Sequence, residues 1–190
     1  MLPLYLAGPA VEPVAVPEMR LWLRIEDEAE DALLAALIKA ARLVIEATTR
    51  LTLLESTWRL ALPRLPSDGV VRLPLAPVIR IDAVRLYDGA GVATLLPASA
   101  VRLEARAEPP RVTIAAPSAE ATAGGVEIDL AAGFGTQPGA APAPLVQALR
   151  LLVAHWYENR GDLSAEGARA SGLPAEILAL IAPYRRLRMG

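Results

Sequence analysis

The chain's one histidine, His155, is followed three residues later by Glu158 in the stretch "HWYE". On a helix that spacing puts an imidazole and a carboxylate on one face, within reach of each other, as a general base and its orienting partner must be. Such a base also needs a nucleophile or a substrate cleft, and the sequence supplies neither as a motif. There is no G-x-S-x-G elbow and no H-E-x-x-H, and "GGVEIDLAAGFG" has glycines but lacks the Lys-Ser/Thr ending of a phosphate loop. His155 therefore reads as a structural residue at the edge of a packed helix face. A small hydrolase or binding enzyme using His155 and Glu158 is the alternative.

Two charged runs are the other candidates. "RIEDEAED", residues 24 to 31, holds five acids among eight residues. It lacks the alternating oxygen ligands and central glycine of a calcium loop, and acids gather at a helix N-terminus for electrostatic reasons alone, so it reads as a solvated helix start. The final "PYRRLRMG" has three arginines and no acid. Arg185, Arg186 and Arg188 could form a weak, salt-sensitive contact with DNA phosphates, and an acidic protein surface suits them equally well. The net charge of -2, from 19 basic and 21 acidic residues, argues against a surface built for nucleic acid. With no cysteine and one histidine, disulfides, thiolate metal sites and histidine-cluster zinc sites are all excluded.

The elements that would position these residues follow from periodicity. Pro17 opens a short helix in which Met19, Trp22 and Leu23 share a face. A long amphipathic helix over residues 27 to 49 follows, with Leu33, Leu34, Leu37, Ile38, Ala41, Val44 and Ile45 at three- and four-residue spacing. From about Thr57 the pattern alternates, and "STWRLAL", "VVRLPL", "VIRIDAVRLYD", "VATLL", "RVTIA" and "VEIDLAAG" read as short strands, with a hairpin turn at "YDGAGV". Helical spacing returns over residues 144 to 160, where Leu145, Leu149, Leu152, Val153 and Trp156 form a stripe that Gly161 ends. Pro174 starts a last helix, and Pro183 disfavours a helical Ala182, so the chain should leave the core there as a tail.

The opening "MLPLYLAGPAVEPVAVPEM", broken by four prolines and without a basic start, reads as an extended arm rather than a signal peptide. No stretch reaches the roughly 18 apolar residues of a membrane span, which predicts a soluble, cytoplasmic protein. The fold class expected is α+β: a helical bundle formed by the N- and C-terminal helices, with a small antiparallel β insert between them. The expected divisions are an arm and helices over 1–56, the β insert over 57–135, the C-terminal helices over 136–182 and a tail over 183–190.

Taken together, "VPEMRLWLRI" with its acidic "EDEAED", the helix running into "STWRL", "LPLAPVIRIDAVRLYD", the proline-led helix ending in "HWYENR" and the terminal "PYRR" resemble the head-to-tail connector, or adaptor, proteins of tailed bacteriophages. Gene transfer agents, phage-like particles of some bacteria, use the same parts. The resemblance spans nearly the whole chain. It implies a structural subunit, not an enzyme, without cofactor or metal, that forms a twelve-fold ring joining the portal of a DNA-filled head to the tail. The implied partners are the portal protein, neighbouring copies in the ring, a tail-side neck or stopper protein, and DNA passing through without sequence-specific binding. No membrane is involved, and the implied location is the bacterial cytoplasm during assembly and then the particle neck. Trp156 would be buried, with Tyr157, Glu158 and Arg160 nearer the surface or the subunit boundary. Tyr184, Arg185, Arg186, Leu187 and Arg188 would reach the portal, mobile before docking and ordered after it.

Overall fold

Leu34, Ile38, Ala41 and Ile45 form the buried stripe of the longest helix in the computed structural model, α2 (Asp31–Thr49), as their spacing predicts. The structure describes residues 3–115, 118, 120–159 and 173–185. The chain divides into two units, Ala10–Leu54 with Gly135–Gly190 and Met1–Pro9 with Glu55–Phe134.

In the first of these, α1 (Val16–Leu23) begins with Pro17 in its opening turn, where a missing N–H leaves nothing unpaired, and with Glu18 near the positive end of the helix. Only Met19 of its apolar residues is fully buried; Trp22, expected beside it, is 47% exposed. Helix α3 (Ala143–Glu158) packs on α2 and buries Leu145, Val146, Ala148, Leu149, Leu152 and Val153. Helix α4 (Ala175–Ile181) follows Pro174 and packs Ile177 and Ile181 against α3. Ala41 on α2 and Ala148 on α3 are both fully buried, small side chains of the kind that let helix backbones approach closely in a core poor in aromatics. Helices α1 and α2 end on Arg24 and Arg50 in the left-handed region (φ 57° and 61°), and the Arg50 N–H donates to the Glu46 carbonyl at 2.8 Å. Gly161, expected to end α3, lies outside the described residues; α3 stops at Glu158, and the Asn159 N–H donates to the His155 carbonyl at 3.1 Å. Ala182 does not turn away before Pro183: its φ of -52° and ψ of -45° are helical, and α4 tightens into a 3-10 turn over Ala182–Tyr184. The steric bias of a residue before proline is a preference, and one further turn outweighs it here.

The second unit overturns the expected architecture. It is not a small insert between the halves of a bundle: among the described residues eight strands form two antiparallel sheets, so the molecule is a mixed α+β protein. Strands β1 (Leu4–Ala7), β2 (Ser56–Leu62), β4 (Val78–Tyr87), β5 (Ala93–Leu95) and β8 (Gly125–Ala132) make a five-stranded sheet in the order β1-β2-β8-β4-β5. Strands β3 (Val70–Arg72), β6 (Val101–Glu104) and β7 (Arg111–Ile114) make a second sheet in the order β3-β7-β6. The opening segment, read as an arm, supplies β1: Leu4 pairs with Arg59, and the Tyr5 ring meets Trp58 edge-on at 4.7 Å. Alternation does the rest. Leu60, Ile128 and Val84 are register partners, and with Leu86, Val126 and Leu130 they form one buried core with Val71, Leu73, Val112 and Ile114 of the smaller sheet and its flank. The β4–β5 hairpin forms as "YDGAGV" predicts: Asp88 Oδ1 accepts the Ala90 and Val92 N–H groups, both at 2.9 Å, and Gly91 takes a φ of 80°. Among the described residues no helix is long and apolar enough to cross a membrane.

Candidate assembly surfaces

His155 and Glu158 are both exposed near the end of α3, and no hydrogen bond joins them among the described residues. The imidazole Nδ1 lies 3.4 Å from Asn159 Nδ2, so its neighbour is the helix-ending amide and not the carboxylate. Trp156, expected to be buried, is half-buried, and Tyr157 hydrogen-bonds the Glu30 carboxylate. The terminal basic segment begins where α4 ends: Tyr184 is half-buried in the 3-10 turn and Arg185 is exposed after it, while Arg160, Arg186, Leu187 and Arg188 lie outside the described residues. The acidic run is partly neutralised locally. Arg20 donates to Glu28 at 3.1 Å and lies 3.1 Å from Asp31, and Asp27 accepts the Ala29 N–H at 2.9 Å. No cluster of metal-ligating side chains occurs among the described residues.

The surface of the helical unit is unusually apolar in two places. Leu21 is 81% exposed and lines an open depression of about 520 Å3 with Pro17, Arg20, Arg24, Ile25 and Glu26. Beside it Trp22 lies under the Arg150 guanidinium, 5.6 Å from the ring centre, and Arg150 is also paired with Glu18. On α2 the exposed residues include Ala32, Leu33, Ala35, Ala36, Leu43 and Ala47, with Lys39 the one charged side chain among them.

Two ionic networks escape a pattern-based reading. Arg42 is 1% exposed on α2; its Nε and second terminal nitrogen grip both oxygens of Glu12 at 2.7 and 3.2 Å, and its remaining nitrogen donates to Glu46 at 3.0 Å. Glu46 also accepts the Leu53 N–H at 2.8 Å, so one buried node fixes the incoming chain at residue 12, the helix and the outgoing chain at residue 53. Burial pushes the Glu46 carboxyl above its ordinary range, opposed first by the Arg42 charge. The i, i+4 spacing of Arg42 and Glu46, in phase with Ile38, Ile45 and Thr49, was the available signal.

The second network crosses the polar face of the larger sheet. Asp129 on β8 accepts from Arg59 on β2 at 2.6 and 2.9 Å and from Arg85 on β4 at 2.6 Å, and Tyr87 donates to Glu127 at 2.9 Å. The Arg59 hydrogen bond holds the Asp129 carboxyl below the usual carboxylate range, and the bond to Glu127 raises the Tyr87 hydroxyl. Arg80 is spent in the same way on Glu55 and Asp82 at 2.6 and 2.7 Å. The Arg59 and Arg85 pairs tie neighbouring strands together, and all three arginines have their charge offset by nearby carboxylates.

Among the described residues no catalytic group is assembled around His155 and Glu158, and both units present exposed surfaces. Comparison with known proteins agrees with that emphasis. No curated protein matches the chain. Over its whole length it is similar, at 35% identity and a TM-score of 0.81, to a chain in the neck of an empty gene transfer agent particle computed with C6 symmetry, of which it covers 97%. The same values relate it to a chain of the virion of a native gene transfer agent particle. A chain in the neck of a native particle computed with C12 symmetry is 34% identical, with a TM-score of 0.76 and 97% of that chain covered. Residues 14–87, which include α1, α2 and the first strands after them, match the phage gp6-like head-tail connector proteins. With full-length similarity to neck chains and a matching connector segment, the chain belongs to the phage gp6-like head-tail connector family.

Proposed function

We propose that this protein is the adaptor of a phage-like particle, a structural ring of twelve copies that seats on the portal of a DNA-filled head, receives a tail-side neck protein and lets DNA pass. The observation that carries this reading is the similarity along 100% of this chain to subunits of gene transfer agent necks. The electrostatics are compatible with it. The helical unit holds eleven basic and twelve acidic residues, and the basic side chains of the larger sheet's polar face are consumed by pairing, so neither unit offers the positive field that would make DNA stick. Particles assemble in the bacterial cytoplasm in this reading, and the subunit ends in the particle neck. Its basic terminal segment, Tyr184, Arg185, Arg186, Leu187 and Arg188, combines the ring, guanidinium and aliphatic groups typical of interface anchors and would dock in an acidic groove of the portal.

Deleting the gene in a producing strain tests the reading. Electron microscopy of the lysate should show DNA-filled heads and separate tails, with joining restored by the gene in trans. Complete particles in the deletion strain would overturn it.

A further inference from the structure

Two exposed features of the helical unit have complementary shape and charge. The first is the depression on α1, with Pro17, Leu21 and Ile25 as its apolar part and Arg24 and Glu26 at its margin. The second is the outer side of α2. At 100° per residue, Ala36, Lys39, Leu43 and Ala47 fall on one narrow ridge opposite the buried Leu34, Ile38, Ala41 and Ile45. Leu43 at its centre is 40% exposed. The water-facing side of an amphipathic helix is ordinarily charged, and here Lys39 is the only exposed charge between Ala32 and Thr49.

We propose that these features are the two halves of one contact between copies of this chain: the α2 ridge around Leu43 seats in the α1 depression of the next copy, and Lys39 pairs with its Glu26. The inference rests on the ring-forming adaptor reading. Three observations select a second copy as the occupant. First, Glu26 and Lys39 are exposed, opposite in charge and without an ion pair among the described residues. Second, the order along the chain agrees: Lys39 lies one turn before Leu43 on α2, and Glu26 follows Leu21 just past the end of α1, so the apolar and the charged pair can meet together when the two helices run antiparallel. Third, the similar neck chains stand in assemblies computed with C6 and C12 symmetry, and rotation about such an axis joins unlike faces, as a ridge and a depression are. The contact has an apolar centre and a charged margin, the usual anatomy of an interface. The depression is lined by six residues, few beside the roughly 20–30 a side of a standard interface, so one contact is weak and closure of the ring adds what is missing.

The absence of cysteine makes the contact directly testable. Pro17 and Ala47 are exposed and flank the proposed centre, leaving Leu21 and Leu43 intact. In particles assembled from the full chain carrying Pro17→Cys and Ala47→Cys, a short bismaleimide should link residue 17 of one copy to residue 47 of the next. A denaturing gel should then show a ladder rising beyond the dimer, while each single variant stays at the monomer. Dimers from Ala47→Cys alone would mean that α2 meets α2, and would overturn the proposal. A double variant present in particles yet monomeric on the gel overturns the contact and leaves the adaptor reading standing. Wild-type particles that lack the chain overturn the adaptor reading and the contact with it. Charge exchange gives a second readout: Glu26→Lys and Lys39→Glu should each lower the yield of joined particles by about tenfold or more, and the double exchange should restore it. Two single variants at wild-type yield overturn the pairing.

Discussion

Replacing Arg42 by Met keeps an unbranched side chain out to about the position of Nε and removes the guanidinium charge from a site that is 1% exposed. The variant leaves Glu46, 8% exposed, with the Leu53 N–H as its remaining hydrogen bond of those described above, and leaves Glu12 without its two-pronged partner. Breaking a buried ion pair from one side costs about 3–5 kcal/mol, because the abandoned charge stays desolvated. Part of that is relieved by Glu12, which is 29% exposed and can turn to water, so a loss near 3 kcal/mol is expected for the helical unit. That corresponds to a fall in melting temperature on the order of 10 °C, read by circular dichroism at 222 nm alongside urea titration. The pH dependence carries the sharper test. Burial already raises the Glu46 carboxyl, with Arg42 as the main opposing influence, and removing Arg42 raises it further. An acid whose folded pKa lies above its unfolded value binds more protons folded than unfolded, so stability falls as pH rises through that window. The deficit of Arg42→Met should therefore be smallest below about pH 4 and grow toward neutrality. A further Glu46→Gln change should recover part of the loss at pH 7. A deficit under about 1 kcal/mol, equal at pH 4 and pH 7, would refute the claim that this node holds the helical unit together.

Other expectations follow from single positions. Gly125 has a φ of 115°, and an added Cβ would stand 2.7 Å from the Leu62 carbonyl oxygen, so Gly125→Ala should destabilise the β unit by about 1–3 kcal/mol in urea titration. His155→Gln alters an exposed imidazole that makes no pair with Glu158, so particle yield and DNA transfer should stay at wild-type levels; their loss would revive a catalytic reading. Reversing Arg185, Arg186 and Arg188 to Glu should leave the far-ultraviolet spectrum and melting point unchanged while heads and tails fail to join. Normal joining would show that the terminal arginines are not the portal anchor.

The helices were legible because Leu34, Ile38, Ala41 and Ile45, and later Leu145, Leu149 and Leu152, repeat with the period of a packed helix face. The weight of the β part was not. Leu4–Ala7 lies between Pro3 and Pro9 and is exposed at every position, so nothing local distinguishes an edge strand from an arm; its partner, β2, is some fifty residues away. Val101–Glu104 alternates for only four residues, of types that also suit helices. Both omissions made two sheets look like one small insert. The Arg42 node was hidden for a different reason: a charged residue in helical phase with the core is ordinarily taken for solvent-facing, and only the partner arriving from Glu12 makes its burial tolerable. Trp156, in phase with the stripe and expected in the core from the family resemblance, is half-buried, since the stripe it continues runs off the packed region as α3 nears its end. Which surfaces serve assembly was not readable from spacing, because exposure of Leu21 and Leu43 depends on what the fold leaves uncovered.

The most direct measurement is an electron cryomicroscopy reconstruction of the neck of particles produced with this chain, with the subunit assigned by side-chain density. The account predicts one ring of twelve copies between portal and tail, enclosing the DNA path, with residues 184–188 against the portal. Absence of the chain from the neck, or its presence elsewhere in the particle, would contradict it.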